Sequence, residues 1–203
     1  MEIEISKKTI KLEKELNLVD EFVIDVSKIL GEYFNYVIVS GYLPILFGKV
    51  RGTEDVDVFI EEVSLEKFKE LCEELDRRGY EILNSKDAED AYDILKERLA
   101  IRLSKEGEFI PNFELKFPED VWRTRSIKER IKVVLNGNEF FISSIEMNIA
   151  FKIYLGSRKD IDDACHLYLL FKKLKHLDEG EIKKICSELG VTPDILKRCK
   201  DEE

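Results

Sequence analysis

Residues 36–60, YVIVSGYLPILFGKVRGTEDVDVFI, constrain the fold more than any other part of the chain. The apolar run Tyr36, Val37, Ile38, Val39 is rich in β-branched residues and reads as a buried strand. Ser40-Gly41 interrupts it where backbone must turn sharply or approach something closely. Residues 42–47 suit a short helix, with Pro44 tolerated near its first turn. Val56, Val58 and Ile60 then alternate with Asp55, Asp57 and Phe59. A period of two puts both aspartates on one face of a strand end. Like charges held that close are unfavourable unless a cation lies between them. Two carboxylates with an open coordination sphere suit Mg²⁺ bound to a nucleotide's phosphates. The plain alternative is an edge strand whose aspartates face solvent beside a polar turn.

The rest of the chain reads as mixed α and β, then helical. Apolar residues recur at helical spacing over residues 12–33. Ser64 suits the N-cap of a helix running to Arg78 and ended by Gly79, and Lys67 rules out a full capping box. Residues 80–83, 99–103 and 109–117 read as strands, and residues 87–98 as a helix. In the last of those strands Phe113, Leu115 and Phe117 point one way, and Asn112, Glu114 and Lys116 the other. Residues 119–130 form a basic helix or loop. Asn136-Gly137 joins two strands in a hairpin. From Ser144 the pattern is helical, broken at Gly156, Gly180 and Gly190. The fold class expected is α+β: a mixed-sheet core over residues 1–143, and a helical domain over residues 144–203 closing one side of a cleft.

Composition narrows the partners. A chain of 203 residues can bury a real core, and 37% charged residues give it a highly charged surface. Glutamine is absent while Lys and Glu abound, the bias of a thermophile's protein. A net charge of −10 argues against indiscriminate nucleic-acid binding, though not against RNA held at a local basic patch. Such a patch is offered by Arg123, Arg125, Lys128, Arg130 and Lys132, with Trp122 available to stack on a base. The alternative is a solvated helix face balanced by Asp120 and Glu129, and the sequence slightly favours it. The four cysteines make no CxxC pair, and with two histidines a structural zinc is not expected. They read as reduced cysteines of a cytoplasmic protein, with a Cys186–Cys199 bridge open to a hyperthermophile. The charged N-terminus is no signal peptide, and no apolar run is long enough to span a membrane. His166 and His176 sit on apolar helix segments and read as packed rather than catalytic.

The strand, small-residue turn, short helix and Asp-Val-Asp together resemble the nucleotidyltransferase superfamily, the polymerase-β-like fold. Arg51-Gly52-Thr53-Glu54-Asp55-Val56-Asp57 is similar to that superfamily's Arg-x-Thr-x-Asp-hydrophobic-Asp form. Downstream, Ser144-Ile145-Glu146, Lys152 and Arg158-Lys159-Asp160-x-x-Asp163 resemble the AbiEii-type branch, toxins of type IV toxin–antitoxin systems. The resemblance implies transfer of a nucleoside monophosphate from an NTP to a hydroxyl of RNA, tRNA included, or of protein, with Mg²⁺ as cofactor. It also implies a cognate antitoxin as partner. Asp55 and Asp57 would ligate the metal. Glu114 would be a third ligand, or else a strand residue paired with Lys116. Ser40 and Gly41 would contact the triphosphate. Arg51 would pair with a phosphate, or else with Glu54 or Asp55, and Thr53 would bind or merely brace the loop. Lys152 would touch a phosphate, with Asp160 as base or as its brace. A different reading is a catalytically weak nucleotide-binding or protein-interaction module. Transfer to a small molecule is a third, favoured by a cleft too narrow for a nucleic-acid end.

Overall fold

The computed structural model describes residues 1–199. A nine-stranded mixed sheet runs through it. The strands are β1 (Glu2–Ser6), β2 (Thr9–Glu13), β3 (Tyr36–Ile38), β4 (Asp55–Ile60) and β5 (Tyr80–Ile82), then β6 (Ile101–Lys105), β7 (Asn112–Lys116), β8 (Ile131–Leu135) and β9 (Asn138–Ile142). Their spatial order is β1-β2-β8-β9-β3-β4-β7-β6-β5. β4 pairs antiparallel with β3 and parallel with β7, so it lies near the middle of the sheet rather than at an edge.

The helices are α1 (Leu18–Tyr33), α2 (Tyr42–Leu46), α3 (Leu65–Arg77), α4 (Ala88–Lys96), α5 (Val121–Lys128), α6 (Ile145–Leu155), α7 (Arg158–Lys173) and α8 (Glu179–Glu188), followed by a 3₁₀ turn, Pro193–Arg198. On one sheet face Val56, Val58, Ile60, Phe113 and Leu115 are buried under α1 and α3, with Phe22 of α1 edge-on to Phe113 at 5.2 Å. The opposite face carries Asp55, Asp57 and Phe59 beside Asn112, Glu114 and Lys116. Apolar residues of α6, α7 and α8 belong to the same contiguous core as the sheet, and Phe47 meets Phe171 of α7 at 4.9 Å.

Most expected elements are present, with two differences at the N-terminus. Residues 2–13 form a hairpin in which Ile3, Ile5, Ile10 and Leu12 alternate with charged or polar residues. The helix read over residues 12–33 begins at Leu18, because Asn17 accepts from the Asp20 N–H while Asp20 accepts from that of Asn17, closing a capping box. The Asn136-Gly137 hairpin forms as expected, with φ of 48° and 81°.

The cysteine reading requires correction. Cys165 of α7 is disulfide-bonded to Cys199, 34 residues away, whereas Cys72 and Cys186 are free. Cys186 is wholly buried in the core beside Ile185, out of reach of such a bridge. No helix among the described residues is long and apolar enough to cross a membrane.

Candidate functional site

The sheet's pairing builds the site. Val39 N–H donates to Asp57 C=O at 2.9 Å, which fixes the turn after β3 against β4. Ser40 follows at φ 61°, in the left-handed region that costs a non-glycine residue about 1–2 kcal/mol. Gly41 has ordinary right-handed angles, so its requirement is space. A Cβ there would lie 2.8 Å from Arg51 Nη2, the atom that donates to Gly41 C=O at 2.7 Å. Thr53 Oγ donates to Asp55 C=O at 2.9 Å and so braces the loop.

Asp55 and Asp57 share a face, as the alternation demands. Asp55 is exposed and accepts from Asn112 Nδ2 at 2.8 Å. Asp57 lies opposite Glu114 in register, and Lys116 spans the pair at 3.3 Å from Asp57 Oδ1 and 3.1 Å from Glu114 Oε2. Glu114 also accepts from Arg102 at 3.0 Å. Partial burial disfavours the Glu114 charge, but Lys116 and Arg102 outweigh it and hold the carboxyl below its usual range. Burial likewise opposes the Lys116 charge, and the two carboxylates overcome it and raise that ammonium's pKa. A three-carboxylate metal centre is therefore not assembled: among the described residues no three His, Cys, Asp or Glu converge as a metal-holding group. Glu114 is paired with Lys116, as is Asp57. Asp55 and Asp57 alone still fit Mg²⁺, which commonly takes only one or two protein carboxylates and completes its shell with phosphates and water.

Lys152 is 2% exposed, not a surface lysine. The Ser144 cap on the Met147 N–H starts α6, and Gly156, at φ 69°, ends it just after Lys152. Lys152 Nζ donates to Asp163 Oδ2 at 2.8 Å and to Asp160 Oδ1 at 3.4 Å. Asp163 is fully buried and also pairs with Lys49 at 3.0 Å and Arg51 at 3.1 Å. Burial penalises its charge, yet Lys152, Lys49 and Arg51 together hold its carboxyl below the ordinary range. Arg51 is thus engaged by Asp163 and Gly41 C=O rather than by Glu54 or Asp55. The sequence motif contains Asp163 without giving it a role of its own, and it does not single out Lys49. The three-residue offset puts Asp160 and Asp163 on one face of α7.

A cavity of about 360 Å³ joins these parts. Its lining combines the polar Ser40, Asp57, Lys116 and Lys152 with the apolar Phe59, Phe117, Trp122, Met147 and Phe151. Asp55, Gly41, Arg51, Thr53, Glu114 and Asp160 are not among its lining residues. Trp122 faces this space, edge-on to Phe151 at 6.3 Å. The basic cluster around it is largely spoken for. Arg123 pairs with Glu119 and Asp120, Arg125 with Glu129 and Glu181, and Lys132 with Glu139. Arg130 donates to Ile127 C=O and Asn35 and lies over the Phe141 ring. Most of the cluster is thus paired with acidic or polar neighbours, and Lys128 is exposed. His166 is half-buried, its Nε2 3.1 Å from Phe47 C=O, whereas His176 is exposed rather than packed. Arg158 and Lys159 are exposed on the first turn of α7.

No protein-family model matches the chain, and no curated protein matches it. Among solved structures it is similar to an antigenic nucleotidyltransferase-like protein from Paracoccidioides brasiliensis. The two agree with a TM-score of 0.50 at 22% identity, over 83% of this chain and 85% of that one. The likeness is one of fold: the chain has a nucleotidyltransferase-like α+β fold, with a mixed sheet and flanking helices.

Proposed function

We propose that the protein is a nucleotidyltransferase that moves a nucleoside monophosphate from an NTP to a hydroxyl of RNA or protein. The observation that carries this reading is the cavity that gathers Ser40, Asp57 and Lys152 from distant chain segments beside an aromatic wall. Asp55 and Asp57 are the residues to hold Mg²⁺. The metal, when bound, neutralises phosphate charge and orients the phosphates for in-line displacement. Lys152 supplies a fixed cation to the same space. Two of its three N–H donors are engaged by Asp163 and Asp160, which leaves one for a phosphate oxygen. Ser40, held in a left-handed turn, lines the cavity and is the residue to contact the triphosphate. Asp160 acts as a second anchor for Lys152, and its own carboxylate is oriented by Ser157.

The test is incubation with each α-labelled NTP, Mg²⁺ and either total RNA or cellular protein, beside Asp57→Asn. Label transferred by the native protein and not by the variant is expected. Nucleotide binding without transfer to any acceptor would favour the second reading, a catalytically weak nucleotide-binding module. Its support is Lys116, which occupies Asp57 and Glu114 together. The narrower assignment to AbiEii-type toxins rests on Lys152 and the Arg158–Asp163 motif. It predicts that expression arrests growth, that Asp57→Asn relieves the arrest, and that a small neighbouring gene supplies the antitoxin.

A further inference from the structure

Two residues lining the cavity carry buried polar atoms with no partner in the protein. Asn148 Oδ1 and Ser143 Oγ are buried with no hydrogen-bond partner, and both residues line the cavity. Asn148 is 4% exposed and Ser143 2%. Native proteins leave few such groups, since each forfeits its hydration without compensation. Asn148 interrupts an otherwise apolar stretch of the α6 sequence, between Met147 and Ile149. Its position is one helical turn before Lys152, so both project into the same space.

A buried carboxamide needs a donor for its oxygen and an acceptor for its NH₂. Phosphate oxygens can meet the NH₂ but not the oxygen. A nucleobase can meet both. Its edge presents a donor beside an acceptor, the complement of a carboxamide's oxygen and NH₂. Its faces can pack against the aromatic side chains that line the cavity, Trp122, Phe59 and Phe151. We infer that Asn148, assisted by Ser143, reads the hydrogen-bonding edge of the nucleobase and sets which NTP the site prefers. This rests on the nucleotide reading above and names the specificity determinant of that site.

Calorimetric titration with ATP, GTP, CTP, UTP and tripolyphosphate, each with Mg²⁺, tests it on the native protein, Asn148→Leu, Asn148→Asp and Ser143→Ala. The native protein is expected to prefer one base or one pair of bases by at least about tenfold, the discrimination of a single good base contact. Asn148→Leu should compress that preference about tenfold and leave tripolyphosphate affinity unchanged. Asn148→Asp, which keeps the shape and removes the donors, should reorder the four NTPs. The melting temperature of Asn148→Leu should equal or exceed that of the native protein, because the orphaned acceptor is gone. Equal weakening of all four NTPs would assign Asn148 to the sugar and overturn base reading. A preference that survives both Asn148 variants would overturn it too, as would a native protein with no preference. If the native protein binds tripolyphosphate but no NTP better, the base slot is wrong while the phosphate site stands. If it binds neither, the nucleotidyltransferase reading itself fails.

Discussion

Lys152 Nζ stands 2.8 Å from Asp163 Oδ2 and 3.4 Å from Asp160 Oδ1, so the buried aspartate, not the one at the helix mouth, is its principal anchor. The distinction changes what the C-terminal helices do. Asp163 also holds Lys49 and Arg51, which come from the loop between α2 and β4. One carboxylate therefore ties α6 and α7 to the loop that leads into Asp55 and Asp57. Removing it leaves three cations facing one another.

Asp163→Asn should accordingly destabilise the fold by about 3–5 kcal/mol, the scale of breaking a buried ion cluster by deleting one member. The same group predicts a pH dependence. Its folded pKa is depressed, so its stabilisation is complete above the unfolded carboxyl value of about 3.9 and is lost as pH falls through the folded value. Urea midpoints measured from pH 7 downward should fall steeply below about pH 4 for the native protein. The acid limb should be shallower in Asp163→Asn. Parallel curves would show that the cluster contributes little net stability.

The sequence made the strand–turn–strand unit legible because short-range rules govern it. Alternation placed Asp55 and Asp57, and β-branching placed β3. The N-terminal hairpin is equally periodic, Ile3, Ile5, Ile10 and Leu12 alternating with charged or polar residues, but no strand is read there from the sequence alone. What periodicity does not carry is pairing between distant segments. The Glu114–Lys116 pair is local, two residues apart on one strand face, but nothing local indicates that Glu114 would also meet Arg102, or that Arg51 would reach Asp163. The same limit hid Cys165 as the partner of Cys199. Lys152 illustrates the converse. Helix chemistry alone suggests a snorkelling surface lysine, and only the buried Asp163 makes its inward position tolerable.

The Ser40-Gly41 turn should show opposite responses at adjacent positions. Ser40→Gly releases a left-handed conformation and should stabilise by about 1 kcal/mol while weakening nucleotide binding through the lost hydroxyl. Gly41→Ala forces Arg51 away and breaks its bond to Gly41 C=O, which should cost about 1.5–3 kcal/mol as a charge-assisted hydrogen bond. Thermal unfolding of both variants beside NTP titrations separates the effects. Stabilisation of Gly41→Ala would show that Arg51 is free to move.

Lys116 competes with any cation at Asp57. Lys116→Met should therefore lower the Mg²⁺ concentration for half-maximal nucleotide binding by about fivefold, for an ion pair of about 1 kcal/mol at a partly exposed site. Asp57→Asn should reduce transfer by at least about 10²–10³-fold, the effect of deleting a key electrostatic group. If Lys116→Met instead abolishes transfer at saturating Mg²⁺, the lysine itself serves the reaction. The metal titration distinguishes the two, because competition shifts the midpoint and leaves the plateau unchanged.

The disulfide makes the last prediction. Cys165 and Cys199 close a loop of 34 residues that includes α8, which in the chain-entropy model stabilises by about 3–4 kcal/mol. Cys72 stays out of exchange chemistry because burial, with Glu73 nearby, pushes its thiol up to about 12. Cys186, wholly buried, is raised by the same desolvation. Denatured without reductant, the oxidised protein should therefore present two titratable thiols, and four after reduction. Folded, it should react slowly at either free cysteine. Reduction should lower the melting temperature, and Cys165→Ser should match the reduced protein within error. Cys165 lies midway along α7 and neither cysteine lines the cavity, so nucleotide binding at low temperature should be unchanged by reduction. A loss of binding on reduction, with the fold intact by circular dichroism, would show that the C-terminal turn positions Lys152 and not merely α8.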